Sequence, residues 1–135
     1  MDPLLGYFVF QKMGDGCFAS KYCHRHLLSP HPEIMKRLPE DNSDDKKGSL
    51  QNIQPIERNE FEGRFRTTWI EDLNASKSEL ATITITAKPN VPGIFLLCWE
   101  QDNDPLFYGE GMIHNEILIG SYWNDDLKQQ FTQIP

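Results

Sequence analysis

Cys17, Cys23, His24, His26 and His31 fall within fifteen residues of one another. Thiols and imidazoles this close in sequence could ligate zinc or supply a Cys–His nucleophile. Strand geometry speaks against the metal. On an extended strand Cys17 and Cys23 share one face because their separation is even, while His24 and His26 share the other. The Cys-x5-Cys spacing also misses the short chelating loop. A nucleophilic cysteine needs its thiolate favoured by a helix N-terminus or an adjacent imidazole. Cys17 instead follows a glycine-rich turn where no helix begins. The five residues are expected to be ordinary hairpin and loop residues, with no metal and no cofactor. Glu110 and His114 offer a second acid–base pair, on one face of a strand. Their separation along an extended chain is about 13 Å, too far to serve one substrate together. An enzyme using Cys17, or Glu110 with His114, therefore ranks last among the functional readings.

The aromatic residues carry more. Trp69, Trp99, Tyr108, Tyr122 and Trp123 all fall on expected strands, joined by Phe61, Phe65, Phe95 and Phe107. Two readings stay open: a packed aromatic core, or an aromatic-lined cavity in a curled sheet, since ligand pockets are mostly apolar with a few placed polar groups. In the second reading Trp69, Trp99, Tyr108, Glu110, Met112 and Tyr122 form the ligand-binding set. Asn74-Ala75-Ser76 matches a glycosylation sequon, but reads as a turn. Gly109-x-Gly111 is followed by no helix and so is not a dinucleotide loop. Glycines inside a strand mark a bend or a close approach.

These residues need elements to hold them. Tyr7–Met13 and Cys17–Arg25, joined by Gly14-Asp15-Gly16, read as a β-hairpin. Residues 32–38 read as one short helix, with Pro32 and Glu33 in the first turn, Lys36 and Arg37 near the end, and Pro39 as the stop. Residues 39–58 read as a flexible loop, residues 40–52 having one apolar side chain and no periodicity. From residue 59 the pattern is β. Phe61, Gly63, Phe65, Thr67 and Trp69 alternate with polar residues, and Leu80–Lys88 alternates threonine with Ala81, Ile83, Ile85 and Ala87. Ile94–Glu100, Leu106–Ile113 and Ile117–Trp123 complete a meander of five strands with short turns, whose neighbours pair antiparallel. The tail is open: Asp125–Lys128 could begin a helix, or Lys128–Ile134 could be an eighth strand that closes the sheet. The expectation is a single domain over residues 1–135. It comprises a hairpin and short helix (1–38), a loop (39–58) and a β-meander (59–135), the hairpin joining the C-terminal sheet.

Phe61-Glu62-Gly63-Arg64-Phe65 resembles the Phe-x-Gly-x-Trp/Phe opening of calycin barrels, the lipocalin and avidin-like group. Phe107-Tyr108-Gly109-Glu110-Gly111-Met112 and Leu118-Ile119-Gly120-Ser121-Tyr122-Trp123 are similar to the glycine-rich paired strands of such meanders. The resemblance spans roughly residues 60–123. It implies a mainly β, antiparallel up-and-down meander closing into a small β-barrel with a central ligand cavity, in which Gly63 and Phe65 are structural positions. The chain departs from the family in having some 58 residues before this motif, Phe65 where tryptophan is usual, and no lipocalin disulfide pair.

Composition limits the functions. The chain has 135 residues, 39% of them hydrophobic and 24% charged, as a soluble globular domain has. Its longest apolar run, Ile94 to Trp99, is six residues, against about 20 for a membrane helix. No membrane partner is expected. The net charge of −7 argues against nucleic acid as a partner. Residues 1–48 balance seven basic against seven acidic residues, so the excess belongs to residues 49–135. Three cysteines, an odd number, suggest free thiols in a reducing cytoplasm, and the N-terminus lacks the basic segment of a signal peptide. The leading expectation is a non-enzymatic cytoplasmic barrel that binds a small apolar or aromatic ligand, with a homodimer left open. The alternative is an acidic protein-interaction or immunity-type module, recognised by a single acidic patch around Glu100, Asp102, Asp104 and Glu116.

Overall fold

The computed structural model describes residues 3–27, 29–39, 60–72 and 77–132. Eight strands follow one another: β1 (Leu5–Gly14), β2 (Cys17–His24), β3 (His31–Arg37), β4 (Gly63–Asp72), β5 (Lys77–Ala87), β6 (Ile94–Gln101), β7 (Asp104–His114) and β8 (Ile117–Asn124). One helix, α1 (Asp125–Thr132), ends the described chain. Each strand pairs antiparallel with the next, and β8 returns to β1, so the meander closes into a barrel without edges. The hairpin β1–β2 joins the C-terminal sheet as expected. No helix among the described residues is long and apolar enough to cross a membrane.

The fold class expected from sequence holds, with one difference, and the open question of the tail is decided. The segment read as a helix over residues 32–38 is β3, paired with β2 and β4. Its inward residues are His31, Glu33 and Met35, all buried, while Pro32, Ile34 and Lys36 are exposed. That is period 2, hidden from a hydrophobicity reading because two of the three inward residues are polar. Pro32 is tolerated because it lies one residue inside the strand's start, before pairing with β4 begins at Glu33. The tail supplies the helix rather than the closing strand. Asn124 Oδ1 accepts from the Leu127 backbone N–H at 3.1 Å, an N-cap followed by Asp125 and Asp126 in the first turn. The same oxygen accepts from Leu4 N at 3.0 Å, tying the helix start to the chain before β1. The Asn74 sequon and, beyond Pro39, the expected 39–58 loop lie outside the described residues.

Every strand contributes alternate residues to the interior. Phe8 and Phe10, Phe18 and Ser20, Phe65, Thr67 and Trp69, Ile83 and Ile85, Phe95, Leu97 and Trp99, and Leu118 and Tyr122 all face inward and are buried. One end of the barrel is plugged. Phe18 stacks against Phe61 at 4.9 Å and against the edge of Phe65 at 5.4 Å. Arg37 lies over the Phe65 ring at 4.7 Å and donates to the Glu60 and Glu62 carbonyls, fastening the chain that brings Phe61 in. Gly63 and Phe65 of the calycin-like motif open β4 here, with Phe65 fully buried.

Both two-residue turns flanking β7 place non-glycine residues at positive φ: Asp102 (53°) and Asn103 (67°), then Asn115 (51°) and Glu116 (67°). Glu116 is the poorest fit, since an L side chain in this region costs about 1–2 kcal/mol unless it is Asn or Asp. Glu116→Gly should therefore raise stability by about 1 kcal/mol, a few degrees in Tm. Thermal unfolding by circular dichroism checks this, and an unchanged or lowered Tm would refute it.

Candidate functional site

The barrel end opposite the plug holds a cavity of about 90 Å³, lined by Phe8, Tyr22, His24, Leu27, Glu33, Trp69, Trp99, Phe107 and Tyr122. The walls come from β1, β2, β3, β4, β6, β7 and β8, and from the turn after β2. That turn is closed by Leu27 N donating to His24 O at 2.9 Å. It is held to the N-terminal segment by Arg25 Nη2 donating to Pro3 O at 2.9 Å.

Glycines make the aromatic wall possible. A Cβ on Gly109 would lie 3.0 Å from the Trp99 ring, and one on Gly6 would lie 2.4 Å from the Tyr122 ring. These rings occupy the space that side chains on β7 and β1 would have taken. Trp99 then meets Phe8 at 5.7 Å and Tyr122 at 5.9 Å, and Tyr122 meets Phe107 edge-on at 5.5 Å. Such pairs add about 0.5–1.5 kcal/mol each beyond their burial.

Set into this apolar wall is one carboxylate. Glu33 is only 4% exposed. Its Oε1 accepts from Ser20 Oγ at 3.1 Å, and its Oε2 accepts from Trp99 Nε1 at 3.1 Å and from Thr67 Oγ1. Ser20 is its register partner on β2, Thr67 sits on β4, and Trp99 reaches from β6. All three donors are neutral. Loss of water pushes the Glu33 carboxyl up from its ordinary range, and the bonds from Thr67, Trp99 and Ser20 oppose that shift. Tyr122, 5% exposed, carries a buried hydroxyl with no hydrogen-bond partner among the described residues. Its pKa is raised, first by burial and then by Tyr22, Glu33 and Cys23, so the phenol stays protonated.

Of the six residues expected to bind a ligand, the structure brings Trp69, Trp99 and Tyr122 together in the cavity wall. It places Tyr108, Glu110 and Met112 on the outer face of β7, because Phe107, Gly109 and Gly111 take the inward positions. Tyr108 lies under the Lys128 ammonium at 3.9 Å. Glu110 pairs with Lys88 at 2.6 Å, and Met112 is 50% exposed. His114 is exposed at the β7 end remote from the cavity and meets Asn115. Sequence reasoning left Glu33, Tyr22, His24 and Phe107 out of the binding set, although Phe107 stood among the strand aromatics and His24 in the Cys/His group. For Glu33 the signal was present, as the even spacing of His31, Glu33 and Met35.

The Cys/His group divides as strand geometry requires. On β2, Tyr22 and His24 line the cavity, while Cys17 and Cys23 alternate with the inward residues. Cys23 Sγ contacts the His24 carbonyl at 3.8 Å. Among the described residues no three His, Cys, Asp or Glu side chains come together as a metal would need. The acids divide too. Glu100, Asp102 and Asp104 lie at the cavity end, and Glu116 at the plugged end, a full strand length away.

Comparison with protein-family models, with curated proteins and with solved structures finds no match to this chain.

Two expectations follow. Tyr122→Phe removes a buried hydroxyl that has no partner among the described residues, so it should leave stability unchanged or raise it by about 1 kcal/mol. Urea unfolding measures this, and a loss above about 1 kcal/mol would mean that the hydroxyl is bonded. Glu33 makes the stability of the fold depend on pH. A carboxyl whose folded pKa is raised stabilises the fold fully below the unfolded value of about 4.3. That stability is lost as pH rises through the folded value. Relative to wild type, Glu33→Gln should gain stability as pH rises above about 4.3. A wild-type-to-variant difference that stays flat from pH 4 to pH 8 would contradict it.

Proposed function

We propose that this protein binds one small, mainly apolar or aromatic ligand in the unplugged end of its barrel, without catalysis. The observation that carries the reading is a cavity of about 90 Å³, walled by aromatic rings and holding a buried carboxylate, in a barrel whose other end is filled by Phe18, Phe61 and Phe65. An eight-stranded barrel is just wide enough either to fill with side chains or to enclose one small ligand. Here Phe18, Phe61 and Phe65 do the first at one end, and the cavity supports the second at the other. Its volume is well below the roughly 300–1,000 Å³ of drug-sized sites. The ligand is therefore a single ring or a short chain. Trp69, Trp99 and Tyr122 remain in the proposed binding set, and Tyr22, Phe107 and Glu33 take the places of Tyr108, Glu110 and Met112. The closed antiparallel meander supports a calycin-like reading of the chain, with its ligand inside the barrel.

The alternative, an acidic face for a basic protein partner, is less well supported. It required Glu100, Asp102, Asp104 and Glu116 in one patch, and Glu116 lies at the other end of the barrel.

The three tryptophans provide an internal control. Trp69 and Trp99 line the cavity, whereas Trp123 packs outside against Phe131 of α1 at 6.1 Å. In the 15N-labelled full chain, millimolar phenol should shift the Trp69 and Trp99 side-chain NMR signals and leave that of Trp123 in place. Shifts confined to Trp123, or none at all, would overturn the proposal.

A further inference from the structure

We infer that the cavity selects a small organic cation: an amine whose ammonium group meets Glu33 and whose apolar body lies among Trp69, Trp99, Phe107 and Tyr122. This deepens the binding reading above and rests on it.

The carboxylate is the first ground. Glu33 reaches the cavity wall while almost wholly out of water, and its hydrogen-bond donors Ser20, Thr67 and Trp99 are all neutral. Neutral donors satisfy lone pairs but supply no counter-charge. Burial without a counter-ion disfavours the charged form of Glu33, and an ammonium group beside it would supply the counter-charge that stabilises that form. Room for it exists on the carboxylate. Among the described residues Oε2 accepts two bonds and Oε1 one, from Ser20, which leaves a lone-pair direction for an ammonium N–H.

The walls are the second ground. Aromatic faces carry negative charge density and attract a cation within about 6 Å of the ring centre, with tryptophan the strongest. Two tryptophans, Trp69 and Trp99, border the same small space as the carboxylate. A neutral apolar ligand has no use for Glu33, and an anion would be repelled by it.

The approach is the third. The chain carries a net charge of −7, and Glu100, Asp102, Asp104 and Asp125 lie at the strand ends around the cavity. Cations near this end include Arg25, which donates to Pro3 O and His26, and Lys128, which is engaged over Tyr108 on the outer face. Acids at the entrance to a low-dielectric cleft draw cations toward it.

Three probes that share one ring and differ in charge test the inference: benzylamine, benzyl alcohol and benzoate, titrated at pH 7.5 against the 15N-labelled full chain. Benzylamine should shift the Trp69 and Trp99 signals with a Kd at least about tenfold below that of benzyl alcohol, and benzoate should shift neither. In Glu33→Gln the preference for the amine should vanish, with the alcohol bound as in wild type. The wild-type ranking stands as a test by itself if that variant does not fold. Benzyl alcohol or benzoate binding as tightly as the amine would overturn the cation inference while leaving the cavity reading intact. Failure of all three probes to move Trp69 and Trp99 would overturn both, as would shifts of Trp123 alone.

Discussion

A carboxylate taken out of water has to be held by hydrogen bonds, and the interior of this barrel is organised around that requirement at Glu33. The bare desolvation cost of such a group is several kcal/mol, and each bond to the charged form returns about 1.5–3 kcal/mol. Ser20, Thr67 and Trp99 provide three of them. They come from β2, β4 and β6, so the network links both neighbours of β3 and reaches across the barrel to a fourth strand. A one-residue slip of β3 would turn Glu33 to solvent and bring Ile34 inside. The same contacts that solvate the carboxylate therefore set the register of β3. They also fix the Trp99 indole, whose N–H is committed to Glu33 and whose ring forms part of the cavity wall.

The aromatic wall depends in turn on absent side chains. Eight strands leave a narrow interior, and rings as large as Trp99, Phe8 and Tyr122 fit only where the opposite backbone comes close. Gly109, Gly111 and Gly6 provide that approach. A Cβ at Gly111 would lie 3.1 Å from the Phe8 ring. The glycine-rich strands that resemble calycin meanders thus have a local physical reason here. The two barrel ends then diverge by what fills them. Phe61, brought in by the chain that Arg37 fastens, plugs one end. At the other, Glu33 and the surrounding rings border unfilled space.

Much of the architecture was legible in residue order. Alternation over Phe61–Trp69 and Leu80–Lys88, two-residue turns rich in Asp and Asn, and the glycine turn at residues 14–16 all announce an antiparallel meander. The hairpin and five later strands are where their patterns place them. β3 was obscured for a specific reason. Its inward residues are His31, Glu33 and Met35, so hydrophobicity does not alternate, and the flanking prolines resemble helix boundaries. The site was half legible. Large aromatics on strands mark an interior, but Tyr108, Glu110 and Met112 look as eligible as Phe107 until the register shows that Gly109 and Gly111 face inward.

By itself, then, the sequence determined the local tendencies: which segments are extended, where they turn, and that aromatic mass concentrates on strands within an acidic chain. Those follow from side-chain period, β-branching and turn chemistry, all set between near neighbours. The tertiary structure decided what depends on distant residues meeting. It paired β8 with β1 to close the barrel, made the 31–37 segment a strand, and chose which face of β7 points inward. It also gathered Ser20, Thr67 and Trp99 around Glu33, although Trp99 stands 66 positions away along the chain. Only closure of the sheet excludes water from that carboxyl, and only that exclusion raises its pKa above the range of an exposed glutamate.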